Sequence, residues 1–156
     1  MPVQTVYPGD MGAGFEGQIA DINPSEIISK VAEGNINFGL AVVRGTSDQQ
    51  GILPSATGDE FIGVSAYTLA AYASADDVSK IEDERIANLL RRGYIWVKTE
   101  QAVVPGNPVF FRHTTGTGTV IGAFRKDADT ATADAITGAT FESTAAIGGI
   151  ALIRIA

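Results

Sequence analysis

Cysteine is absent from this 156-residue chain, and histidine and tryptophan occur once each. Without cysteine the fold can use neither disulfides nor thiolate chemistry, so packing, hydrogen bonding or association must stabilise it. The single histidine, His113, lacks the partners that a catalytic triad or a histidine-rich metal site needs. We therefore expect His113 to be an exposed residue at the end of a strand.

Long apolar runs and excess positive charge are also missing. No stretch approaches the roughly 18 apolar residues of a membrane span, and the segment Met1 to Thr5 lacks the basic-then-apolar pattern of a secretory signal. Lys and Arg number 11 against 18 Asp and Glu, a formal net charge of -7, whereas nucleic-acid binding needs clustered Lys and Arg. We expect a protein that is used without secretion and that binds neither membrane nor nucleic acid.

Glycine, by contrast, is plentiful, with 18 residues spaced between short runs of β-forming residues. This spacing predicts one mainly all-β domain over residues 1–156, a jelly-roll-like sandwich or a small barrel. The predicted strands are Val3–Tyr7, Gln18–Ile22, Phe38–Arg44, Phe61–Thr68, Tyr94–Lys98, Pro108–Phe111, Val120–Phe124 and Ile147–Ile155. Asp76 to Arg92 begins with acids and ends with arginines before Gly93, which suits a short helix; a solvated loop is the alternative.

No motif in the chain predicts catalysis. Gly12 to Gly17 matches the glycine spacing of a dinucleotide-binding loop, but Pro24 follows too soon for the helix that must hold the pyrophosphate. The acids Asp10, Glu16 and Asp21 match no calcium loop, and Ser65 and Ser143 lack a nucleophile-elbow context. The acids Asp127, Asp129 and Asp134 are interpreted as turn residues. We expect no enzymatic activity, no cofactor and no metal.

Residues 1–24 are predicted to form an extended N-terminal arm, because this glycine-rich segment has too few apolar residues for a core of its own. Its large side chains, Tyr7, Met11 and Phe15, either fold back onto their own domain or anchor on a neighbouring subunit, as aromatic residues and methionine often do. For the acids of the arm, Asp10, Glu16 and Asp21, solvation or interchain hydrogen bonding is the expected role. The candidate interface residues are Tyr7, Asp10, Met11, Phe15 and Glu16, whereas Trp96, Phe110 and Phe111 are expected in the core.

Four patches in order give the chain a family resemblance. They are Tyr7-Pro8-Gly9 with Gly17 to Pro24; Phe38 to Val42 with Phe61 to Val64; Gly93 to Val97 with Pro105 to Phe110; and Gly138 to Phe141 with Gly148 to Ile155. In these patches the chain resembles the structural cement, or capsid decoration, proteins of tailed bacteriophages. Ser74 to Arg92 and Arg125 to Ala135 are particular to this chain.

The resemblance implies a β-rich, jelly-roll-like subunit, made in the host cytoplasm, that lies on the outer capsid face of the virion. Its partners would be the phage major capsid protein and itself, as a homodimer or homotrimer. It would cement adjacent capsomers and so stabilise the shell against internal DNA pressure. Another small β-domain virion component, such as a head-completion or tail protein, is the alternative. A β-barrel enzyme or carbohydrate-binding module would need exposed aromatic platforms, and Trp96 lies in a predicted core strand.

Overall fold

The computed structural model describes residues 12–21, 23–68 and 80–156, and these ranges contain strands and turns but no helix. Across this part of the chain nothing could therefore span a membrane as a helix. The strands are β1 (Glu26–Ala32), β2 (Ile36–Asn37), β3 (Ala41–Arg44), β4 (Gln50–Ile52), β5 (Phe61–Ser65), β6 (Lys80–Ile81), β7 (Ile86–Lys98), β8 (Pro108–Arg112), β9 (Phe124–Arg125), β10 (Ala133–Phe141) and β11 (Ile150–Ile155). The prediction of an all-β fold with a small barrel is confirmed.

One long strand, β7, belongs to two sheets. Its first half closes a small barrel in the order β1-β4-β3-β5-β7, because β1 pairs antiparallel with β7 from Glu26–Arg92 to Val31–Ile86. Its second half continues into a curved sheet in the order β7-β11-β10-β8-β9. At the far edge of that sheet, the amide of Glu100 donates to the carbonyl oxygen of Phe124 at 2.9 Å, which brings β9 back to the end of β7.

Gly93 stands where β7 passes from the barrel to the curved sheet. Its φ is +129°, and an added Cβ would lie 3.1 Å from the Cβ of Ser25, so the passage requires glycine. After it, buried residues alternate with more exposed ones, as in a half-buried strand, whereas just before it Leu89 and Leu90 are both buried and Arg91 and Arg92 both exposed. The main apolar cluster fills the space beneath both sheets, and a smaller one packs β2 and β6 against the barrel.

The predicted short helix around 76–92 is wrong for the residues that the structure describes. Lys80–Ile81 and the first half of β7 are strands there, while residues 76–79 lie outside the described ranges. Leu89 and Leu90, which could share one helix face, are instead both buried in β7, where they pair with β1 and β5. Gly93 is a bend within the strand and does not end a helix.

Candidate functional site

Residues 17–20 of the predicted arm lie along the edge of β7 that β11 leaves free. The amide of Gly17 donates to the carbonyl oxygen of Trp96 at 2.8 Å, and the amide of Ala20 to that of Tyr94 at 3.0 Å. In return, the amide of Trp96 donates to the carbonyl oxygen of Gln18 at 2.9 Å. This part of the arm is therefore an additional strand-like edge of its own sheet.

A tight turn precedes that edge and contains Gly17. The amide of Gln18 donates to the carbonyl oxygen of Phe15 at 3.0 Å. Gly17 has φ +80°, and a Cβ there would lie 3.0 Å from the Ser65 carbonyl oxygen and from the Phe38 side chain. Only glycine combines that backbone conformation with so close an approach. The dinucleotide-like glycine motif is thus an edge turn of a sheet.

The turn places Phe15 in an aromatic cluster. Its ring meets the ring of Tyr67 edge to face, with centroids 4.9 Å apart, and Tyr67 meets Phe38 at 5.1 Å. Both geometries are favourable for aromatic pairs. Phe15 nevertheless keeps 49% of its surface exposed. Beside the cluster lies a shallow cleft, which Glu16, Asn37 and Ile150 also line.

A second, larger cleft of about 590 Å³ adjoins the first and shares Glu16 and Asn37 with it. Two exposed apolar side chains line this second cleft, Val120 and Ile147, and Ile147 is 77% exposed. We call the exposed apolar residues of the two clefts the apolar face: Phe15, Tyr67, Val120 and Ile147. Exposed apolar residues that group together in this way are typical of interaction sites.

Beneath the larger cleft lies a network of charges that we call the arginine lattice: Glu100, Arg112, Arg125, Asp127 and Asp129. The side chains of Arg112 and Arg125 are 3% and 6% exposed. Glu100 accepts from Arg112 Nε at 2.8 Å and from Arg125 Nη1 at 3.1 Å. Asp129 also bridges both arginines, at 2.6 and 2.8 Å. Within the described ranges, no buried side-chain polar atom lacks a hydrogen-bond partner.

The pKa values of three lattice members, Arg112, Asp127 and Asp129, are shifted in the direction that favours their charged forms. The hydrogen bond from Gln101 is the main cause that lowers the pKa of Asp127, and Arg125 contributes. For Asp129 the main cause of a lowered pKa is the hydrogen bond from Arg112. The pKa of Arg112 is raised, chiefly by its hydrogen bond to Glu100. The charged forms of Asp129 and Arg112 are thus stabilised chiefly by partners of opposite sign, and that of Asp127 chiefly by the neutral amide of Gln101.

Of the five candidate interface residues, Phe15 lines the smaller cleft and Glu16 lines both clefts. Tyr7, Asp10 and Met11 lie outside the described residues. Asp21, one of the three acids compared above with a calcium loop, accepts hydrogen bonds from Asn23. In residues 12–21, 23–68 and 80–156, no three His, Cys, Asp or Glu side chains are placed to hold a metal ion.

Three other expectations need correction. His113 is buried, not exposed, and its ring nitrogens lie 2.9 Å from the Thr114 hydroxyl and 3.3 Å from the Thr57 hydroxyl. Trp96 and Phe110 are half-buried because they lie on the outer faces of their strands, whereas Phe111 is in the core. Asp127 and Asp129 do lie in a turn, but they are also lattice members, a role that the sequence analysis missed.

Comparison with known proteins identifies the class to which this fold belongs. A chain from a solved structure of the capsid of Myoviridae phage XM1 has the same fold, with a TM-score of 0.72 at 14% identity. The alignment covers 99% of this chain and 98% of that chain. No curated protein matches the sequence.

Residues 3–156 match the model of the family described as structural cement protein (E217 gp24/Pam3 gp6). The chain belongs to this family of bacteriophage structural proteins, which confirms the resemblance found in the sequence. As a member of this family, it has a structural role in the phage virion.

Proposed function

We propose that this chain binds the outer surface of an assembled phage head and cements adjacent capsomers, which stabilises the shell against the pressure of packaged DNA. The observation that carries the proposal is the family match over residues 3–156. The function requires binding and no chemical step, so we propose a non-enzymatic role.

The apolar face is the surface that we assign to the capsid. A stable interface buries about 800 Å² on each partner, with an apolar centre and a polar rim. The exposed Phe15 and Ile147 supply apolar contacts, while Glu16 and Asn37 supply polar groups between the two clefts. The net charge of -7 supports a position outside the shell, since a surface of this sign has no attraction for DNA.

The predicted arm adds a second contact with a neighbour. Residues 17–20 are hydrogen-bonded to β7 of the same chain, so we assign the contacts with a neighbouring subunit or capsomer to the residues before them. We propose that Tyr7, Asp10 and Met11 make those contacts, and that the protein acts as a homodimer or homotrimer. A subunit that holds several capsid neighbours at once gains avidity of roughly 100- to 10,000-fold over a single contact.

A pair of matched substitutions tests the capsid-binding surface. Ile147→Lys places a charge in the apolar face, whereas Ile86→Lys places the same charge on an exposed isoleucine at the opposite end of β7 from the cleft. Both variants should fold, because both side chains are exposed. We expect Ile147→Lys to weaken binding to undecorated, expanded heads at least about 10-fold in co-sedimentation, since a desolvated charge costs more than 1 kcal/mol at an interface. Equal binding by the two variants would contradict the assignment.

Deletion of residues 1–11 tests the arm separately. The deletion leaves the Gly17–Trp96 and Gln18–Trp96 hydrogen bonds in place, so the body should stay folded. We expect the truncated protein to lose decoration of heads. Full occupancy by the truncated protein would refute the role of the arm, and analytical ultracentrifugation of the same samples would show whether the oligomer also depends on it.

A further inference from the structure

The loop between β9 and β10 has an unusual backbone. Asp129, Thr130 and Ala131 have φ values of +42°, +56° and +64°, so three consecutive residues other than glycine are left-handed. Such residues visit this region singly and at a cost, because Cβ approaches the following carbonyl oxygen. A run of three persists only where other contacts hold it.

Three of those contacts are made by the Asp129 carboxylate. Its Oδ2 accepts from Arg112 Nη2 at 2.6 Å, from Arg125 Nη1 at 2.8 Å and from the Thr132 hydroxyl at 3.2 Å. The turn itself is closed by the amide of Thr132, which donates to the carbonyl oxygen of Ala128 at 3.0 Å. One carboxylate therefore joins the strained turn to two strands, β8 and β9.

The same residues line the larger cleft. Asp129, Arg112 and Arg125 all belong to its wall, and both arginines are also hydrogen-bonded to Glu100. The position of the loop and the position of the two guanidinium groups are thus coupled through Asp129.

We propose that residues 126–132 form a clasp: the charge of Asp129, bridging Arg112 and Arg125, holds the loop in its strained left-handed turn and so fixes the wall of the cleft. Removal of that charge releases the loop while the rest of the fold stays closed. The inference concerns the isolated chain and does not depend on the proposed capsid role.

Hydrogen exchange of the full-length protein, followed by mass spectrometry, tests the clasp. Asp129→Asn removes the charge but keeps the size of the side chain and its tolerance of the left-handed region. We expect amides in residues 126–133 to exchange at least about 10-fold faster, with no change in β11. The control, Asp48→Asn, removes the charge of an exposed aspartate whose oxygen is 3.8 Å from Arg44, and its exchange should match the parent.

A glycine substitution tests the strain directly and remains informative if Asp129→Asn does not fold. Ala131→Gly should raise the unfolding midpoint, because glycine adopts the left-handed region freely. Ala135→Gly, at an exposed alanine of β10, should lower it. When Ala131→Gly is combined with Asp129→Asn, the amides of residues 126–133 should exchange more slowly than in Asp129→Asn alone. Three results would each overturn the proposal. They are hydrogen exchange in Asp129→Asn equal to that of the parent, faster exchange throughout that variant, and a lower unfolding midpoint for Ala131→Gly.

Discussion

Glu100→Gln is the most informative test of the arginine lattice. The side chain of Glu100 is 15% exposed and those of its two arginine partners are under 10% exposed. Its carboxylate accepts from Arg112 Nε at 2.8 and 2.9 Å and from Arg125 Nη1 at 3.1 Å. The substitution keeps the shape but removes the charge and one acceptor, and it turns an amide N–H toward a guanidinium group.

The expected loss of stability depends on the acidic partners that the two arginines keep in Glu100→Gln. Removing one partner of a buried ion pair costs about 3–5 kcal/mol, because a buried charge is left uncompensated. Arg112 and Arg125 keep Asp129, and Arg125 also keeps Asp127, so the lower end applies. We expect a loss of about 3 kcal/mol in the free energy of unfolding, or about 1.5 M in the urea midpoint at a slope of about 2 kcal/mol/M.

The assay is urea unfolding followed by the fluorescence of Trp96, the only tryptophan of the chain. The matched control is Glu60→Gln, which removes the same group from an exposed pair with Arg44. Exposed ion pairs contribute little to stability, so the midpoint of this control should equal that of the parent within error. If the two variants shift the midpoint equally, the lattice behaves as a surface feature and the reasoning is refuted.

Two further predictions concern the pH dependence of stability and the substitution of Gly17. Because the pKa values of Asp127 and Asp129 lie below the usual 3.8, their stabilisation is present above about pH 4 and is lost as pH falls through the lowered values. The unfolding free energy should therefore drop as the pH falls below about 4, and less steeply in Asp129→Asn; parallel pH profiles would contradict this. Gly17→Ala should cost more than about 1 kcal/mol in urea unfolding because of its φ of +80° and its close contacts. Gly12→Ala, where an added Cβ meets nothing within 4 Å, should leave the midpoint unchanged.

The strands that the sequence analysis found are those with strong local signals. The alternation in Tyr94–Lys98, the Pro-Gly turn before Pro108 and the apolar run that ends at Ile155 correspond to the end of β7, to β8 and to β11. In each, burial on at least one face shapes the local composition. Family membership followed from the joint order of such segments, and not from any catalytic motif.

The elements that were missed depend on distant partners. β10 is built mainly of small and polar residues with Gly138 in its middle, so its strand character comes from pairing with β8 and β11. The first half of β7 carries two exposed arginines, Arg91 and Arg92, and gains its strand partner from β1. Pairing of this kind overrides local propensity.

The arginine lattice could not be predicted for a related reason. Glu100, Arg112 and Asp129 come from three separate segments. The return of β9 to the end of β7 brings both acids within 3 Å of Arg112. Acids in a turn after a strand have the same sequence pattern whether they are solvated or paired with buried arginines. Of the apolar face, only Phe15 was identified, because Val120 and Ile147 lie in segments that were interpreted as strands.

Cryo-electron microscopy of undecorated, expanded phage heads mixed with the purified protein tests the central claim most directly. The account predicts extra density on the outer surface at regular positions between capsomers, with the apolar face of each subunit against the shell. The same images would show whether the subunits occur as dimers or trimers. Bare shells at saturating protein concentration would contradict the cement role.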